Sequence, residues 1–124
     1  MGRKTRFAIF STLAALLLLS GCPGPTYEAS TLRAIAAESR HLMATYPIGP
    51  LEHWAEVPRS DWPPAIASVR PEIVTVWPGR VDITIVPFFD GGWGYEVPLK
   101  KENLGIPLEC QQALPQGVYW HGPC

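Results

Sequence analysis

Apolar side chains recur at helical spacing between Glu28 and Tyr46. Leu32, Ile35, Ala36, Leu42, Met43 and Tyr46 fall on one face, while Arg33, Glu38, Arg40 and His41 point elsewhere. The pattern predicts a helix that starts at Glu28 or Ser30, with Thr26, Ser30 or Thr31 as candidate caps. Pro47-Ile48-Gly49-Pro50 stops it. Leu51 to Arg59 has no period and reads as irregular. Ser60-Asp61-Trp62-Pro63-Pro64 resembles a second helix start, with Ser60 or Asp61 as cap and proline in the first turn. That helix can run only to about Val69, because Pro71 disfavours helical geometry at Arg70.

The period then changes from helical to alternating. Glu72–Trp77 and Val81–Phe88 are rich in β-branched residues and flank Pro78-Gly79, which predicts a hairpin. Its turn sets Val76 opposite Val81 and Val74 opposite Ile83, so Val74, Val76, Val81, Ile83 and Ile85 share the core face. Ile73, Thr75, Trp77, Arg80, Asp82 and Thr84 share the other. A second turn follows at Asp90-Gly91-Gly92. A three-residue loop there pairs Ile85 with Val97 and Phe89 with Trp93, keeps Tyr95 and Val97 on the apolar side, and gives Gly92 the left-handed bulge position. Pro87 and Pro98 should interrupt the ladder near strand ends. Lys100–Pro115 reads as a long loop and Val118–His121 as a last short strand. The fold expected is α+β: a small antiparallel sheet of three or four strands with a long N-terminal helix packed on one face, as a single domain over residues 29–124.

The first 21 residues follow a different logic. A basic stretch with Arg3, Lys4 and Arg6 precedes an apolar run from Phe7 to Leu19, which closes on Leu19-Ser20-Gly21-Cys22. Thirteen residues of helix span roughly 20 Å, short of the ~30 Å hydrocarbon core, so a secretory signal fits better than a permanent span. The ending resembles the lipobox of bacterial lipoproteins. The resemblance covers residues 1–22 alone and implies a signal peptide over 1–21 and an acylated Cys22, carrying diacylglycerol on sulfur and usually a further acyl chain on the new amino group. Residues 22–28 would be the acylated cysteine and its tether. Two or more acyl chains suffice for stable anchoring. Pro23, where inner-membrane lipoproteins often carry Asp, favours the outer membrane.

With Cys22 lipidated, Cys110 and Cys124 are left as an even pair in an oxidising compartment, which predicts a disulfide. Beyond the first 21 residues the charge is 7 basic against 11 acidic groups. An acidic small domain is a poor binder of nucleic acid, whose affinity depends on neutralising phosphates.

Little else points to chemistry. His41, His53 and His121 have no ligand spacing and read as surface imidazoles, so no metal site and no cofactor is expected. No nucleophile elbow is present, no thiol is left for a Cys-His pair, and no pair of carboxylates stands out. Asp90-Gly91-Gly92-Trp93-Gly94 matches no phosphate-binding loop and is better read as a turn. No catalytic residue is assigned.

The unusual feature is five tryptophans, at 54, 62, 77, 93 and 120. Trp77 lies on the non-core face with Ile73, Thr75 and Arg80, an apolar stripe that needs covering by the chain, the lipid surface or a partner. The expectation is a non-enzymatic, lipid-anchored envelope protein whose domain binds another envelope protein through Ile73, Thr75, Trp77 and Arg80. It would serve as an assembly accessory, an inhibitor or a structural subunit. The alternative is a module that stacks its tryptophans on glycan or peptidoglycan.

Overall fold

The structure is a computed structural model that describes residues 23–124 apart from Asp90. The expected signal segment, Cys22 and the expected turn position of Asp90 lie outside the described residues. A single antiparallel sheet organises the chain. Its strands are β1 (Ala55–Glu56), β2 (Ile73–Trp77), β3 (Arg80–Val86), β4 (Trp93–Pro98), β5 (Gln111–Ala113) and β6 (Tyr119–His121), in the order β1-β2-β3-β4-β6-β5. Helix α1 (Ala29–Thr45) and the short α2 (Pro64–Ser68) complete the α+β architecture.

Two expectations about this architecture are corrected. The sheet has six strands rather than three or four, because β1 and β5 hold two and three residues and carry no readable alternation. The helix is of ordinary length, 17 residues, rather than a long N-terminal one, and it starts at Ala29, between the expected Glu28 and Ser30. Leu32, Ile35, Ala36 and Leu42 of α1 are buried as its periodicity requires, and they join one core with Val74, Val76, Val81, Ile83, Tyr95, Val97 and Trp120 of the sheet. None of the candidate hydroxyls caps α1. Its N-cap is Glu28, whose own N–H donates to Thr26 Oγ1 at 3.2 Å.

α2 is capped from a distance. The Glu38 carboxylate of α1 accepts the N–H groups of Ala65 and Ile66, both at 2.9 Å, where the orphan amides and the helix dipole favour an anion. Ser60 and Asp61 instead form a 3-10 turn, and Asp61 accepts the Tyr46 hydroxyl. At the far end Arg70 takes φ 54°, a left-handed helix-end residue whose N–H donates to the Ala67 carbonyl at 3.0 Å.

The β2–β3 hairpin has the expected register, with Val76 opposite Val81 and Val74 opposite Ile83. The β3–β4 pairing lies four residues from the expected one: Val81 faces Val97 and Ile83 faces Tyr95. The shift is even, so Tyr95 and Val97 keep their place on the core side. A bulge around Ile85 and the missing N–H of Pro87 end the ladder early, leaving Pro87–Gly92 as the connection. Gly92 is left-handed as expected, at φ +70°, and Gly91 is too, at φ +87°. A side chain on Gly92 would strike the Val86 carbonyl. Among the described residues no helix is long and apolar enough to cross a membrane.

Candidate functional site

The face of the sheet opposite α1 is polar, and the ladder aligns its side chains in rows. One row runs Ile73, Thr84, Gly94, His121 and Gln111; the next runs Glu56, Thr75, Asp82, Glu96, Tyr119 and Ala113. Beyond them Trp77 faces Arg80 across the turn at Pro78-Gly79. The four residues of the sequence-derived stripe therefore share this face. Ile73 is partly exposed at the start of β2, and Thr75, Trp77 and Arg80 are half-buried.

Arg80 does not reach into solvent. Its guanidinium carbon lies 4.6 Å from the Trp77 ring centroid, a cation–π stack, and its Nε lies 3.2 Å from Glu96 Oε1 and 3.5 Å from Asp82 Oδ1. Two carboxylates thus share one cation. Glu96, only 1% exposed, also accepts the Gly105 N–H and a proton of the Gln111 amide. Burial and the Glu96 charge push the Asp82 carboxyl up to about 6, against the smaller opposing pull of Arg80. The buried Nε1–H of Trp77 lies beside Asp82 without meeting hydrogen-bond geometry.

Much of this face is closed by the chain itself. From Leu99, whose N–H donates to the Gly79 carbonyl at 2.7 Å, the segment 99–110 runs down the polar face as a strap. Asn103 sits against Gly79, Gly105 against the Arg80 guanidinium, and Ile106 against Gly91 at the far end of β3. The strap ends at Cys110, which is bonded to Cys124 with the two Cα atoms 5.9 Å apart. Gly105 is needed for closure, because a Cβ there would lie 2.6 Å from Arg80 Cζ.

Several participants were not visible in the sequence. The Asp82–Glu96 pair depends on the β3–β4 register, and polar Glu96 between Tyr95 and Val97 was its one local signal. His121, expected at the surface, is buried; its Nδ1 lies 3.1 Å from the Gly92 carbonyl, and burial holds its pKa below the usual imidazole value. Trp54, just before β1, lies with its ring centroid 6.3 Å from that of Trp77 and is 50% exposed.

Among the described residues no three metal-binding side chains converge. Compared with protein-family models, curated proteins and solved structures, the chain matches none. The Glu96 carboxylate is hydrogen-bonded by Gly105 and Gln111, while Arg80 is ion-paired with Glu96 and Asp82 and its Nε makes no hydrogen bond. This end of the sheet offers solvent the ring of Trp54 and the outer part of Trp77, with exposed His53 and Glu56 beside them.

Proposed function

We propose that this is a non-enzymatic lipoprotein of the bacterial cell envelope, anchored through acylated Cys22 and placed at the outer membrane. Its domain binds another envelope protein through the Trp54–Trp77 pair and the neighbouring Ile73 and Thr75. The observation that carries the reading is a half-exposed Trp54 set against Trp77, whose other side is stacked on the ion-paired Arg80. Tryptophans that can be desolvated without stranding polar neighbours are the usual centres of protein–protein contacts. A sugar site needs polar groups beside the stacked ring to take the hydroxyl hydrogen bonds; exposed His53 and Glu56 could supply them, so the glycan reading stands as the alternative. Arg80 then serves to hold the Trp77 ring in place rather than to touch the partner. Anchoring raises the effective concentration of a weak contact by confining both partners to one layer.

The test is mild crosslinking of the acylated protein in its own envelope, with Trp54→Ala beside it. Trp54 is exposed enough that its loss leaves the fold intact. One stoichiometric adduct, lost in the variant, supports the reading. An adduct unchanged by Trp54→Ala and Trp77→Ala moves the contact elsewhere. Saturable quenching of tryptophan fluorescence by soluble glycan fragments would establish the alternative.

A further inference from the structure

The strap covers the polar face while burying little of its own surface. None of residues 99–110 is buried, and the regular structure among them is two 3-10 turns, Lys101–Asn103 and Leu108–Cys110. Its ends are fixed, by the Leu99 N–H on the Gly79 carbonyl and by the Cys110–Cys124 bond. Between those ends, among the described residues, the hydrogen bonds that tie it to the sheet lead to one carboxylate. Glu96 accepts the Gly105 N–H directly, and it accepts from the Gln111 amide, whose nitrogen also lies 3.3 Å from the Ile106 carbonyl. A segment with so few buried contacts opens at lower cost than the sheet beneath it.

What the middle of the strap covers is unbalanced in charge. Asp82 and Glu96 face one another across β3 and β4 and share Arg80. A Cβ on Gly105 would lie 2.8 Å from Arg80 Nε, so the strap closes over the atom that both carboxylates approach. Asp82 Oδ1, Trp77 Nε1 and Gln111 Oε1 are buried there without a hydrogen-bond partner among the described residues. A protonated Asp82 tolerates this place and leaves Arg80 to Glu96. An ionised Asp82 sets two negative charges against one cation, with an oxygen that no donor reaches. The other groups around it offer no second cation. Thr75 is its partner on β2, Glu56 of β1 and Tyr119 of β6 lie one strand further along the row, and His121 stands in the next row with its pKa lowered by burial. Lys100, Lys101, Glu102 and Glu109 of the strap are exposed. The ladder keeps the two carboxylates opposite each other, so hydration is the remaining relief, and lifting the strap admits it.

We propose that the strap is a pH-gated cover, closed over Arg80 and Glu96 while Asp82 is protonated and loosened when Asp82 ionises. The proposal is independent of the anchor and of what the domain binds. Its direction follows from linkage. In the closed form burial, and after it the Glu96 charge, pushes the Asp82 carboxyl up to about 6. Lifting the strap hydrates that carboxyl and returns it toward the ordinary carboxylate value. Closure is therefore favoured at low pH, and the preference is lost as pH rises from about 4 to about 6. A full return would make the opening constant on the order of 100-fold larger at pH 8 than at pH 4. The open form presents Arg80, Asp82 and Glu96 beside Trp77, a charged surface that the closed form withholds.

The coupling is read from both sides in the full chain. Amide exchange at Gly105 is taken as the ratio of parent to Asp82→Asn at each pH, so that the intrinsic chemical rate cancels. The ratio should rise by on the order of 10- to 100-fold between pH 4 and pH 8, with Gly105 exchanging faster than the slowest amides of β3 throughout. A constant ratio removes Asp82 from the gate and overturns the proposal. Exchange of Gly105 in step with those β3 amides makes every opening a global unfolding and overturns it too. The reciprocal readout is the side-chain carboxyl carbon resonance of Asp82. It should titrate near pH 6 in the parent and move toward pH 4 in Gly105→Ala, whose Cβ keeps the strap from seating on Arg80. An unchanged Asp82 midpoint in a folded Gly105→Ala chain overturns the proposal. The exchange ratio needs only Asp82→Asn, so it decides the matter even where Gly105→Ala does not fold.

Discussion

Asp82 on β3 and Glu96 on β4 stand directly opposite one another in the ladder, and the Nε of Arg80 lies within 3.5 Å of a carboxylate oxygen of each. One cation between buried Glu96 and half-buried Asp82 leaves an excess negative charge, and Asp82, with burial as the larger cause, has its carboxyl pushed up to about 6. A carboxyl raised on folding binds protons more readily in the folded than in the unfolded chain. It therefore weakens stability as pH rises from about 4 to about 6, by on the order of 2–3 kcal/mol, and the penalty persists above that range. Asp82→Asn should raise the melting temperature at pH 8 and lose that advantage toward pH 4. His121 acts in the opposite sense. Its lowered pKa gives stability that is complete above the unfolded imidazole value and fades as pH falls. The difference between variant and parent at each pH isolates the Asp82 contribution, and a difference independent of pH would exclude this account.

Glu96 holds the strap as well as the cation. Glu96→Ala removes one of the two carboxylates beside Arg80 and strands the Gly105 amide, and should cost roughly 2–4 kcal/mol in urea unfolding. Glu96→Gln keeps an acceptor for Gly105 and should cost about half as much. Amide exchange at Gly105 distinguishes the roles: protection should vanish in the alanine variant and survive in part in the glutamine one.

The two glycines Gly92 and Gly117 separate steric from conformational cost. Both have positive φ, but a Cβ on Gly92 meets the Val86 carbonyl, whereas Gly117 has open space around it. Gly117→Ala should cost about 1 kcal/mol, the ordinary penalty for a left-handed alanine. Gly92→Ala should cost at least twice that and disturb the β3–β4 pairing, visible as chemical-shift changes through Thr84 and Gly94.

The Cys110–Cys124 bond closes a loop of sequence separation 14. Replacing both cysteines by serine should remove roughly 3 kcal/mol on the chain-entropy account. The loss should fall most heavily on amide protection in β5, which among the described residues pairs with β6 alone. Equal stability of parent and variant under oxidising conditions would mean that the strap and β6 hold the C-terminus unaided.

What could be read in advance was what is local. α1 shows itself through a 3.6-residue period, and β2–β3 through β-branched runs whose turn leaves one parity for Val74 and Val81. The Asp82–Glu96 pair stayed hidden because a loop of unknown length sets the β3–β4 register, and a four-residue shift keeps every core residue in place while changing every partner. Glu38 shows the same limit in another form: on α1 it looks like a solvent-facing acid, and only tertiary packing brings it to the amides of Ala65 and Ile66. His121 lies among Gly122, Pro123 and Cys124, where nothing local signals that β4 and β5 will enclose it.

The two outer strands set the manner in which anything can join this sheet. β1 offers two residues and is separated from Pro58 only by Val57; β5 offers three and is separated from Pro115 only by Leu114. Neither edge has the length to template an added strand, so backbone zippering and edge-to-edge self-association are both disfavoured. A molecule that recognises this protein must read its side chains, and copies of it crowded on one surface should remain separate.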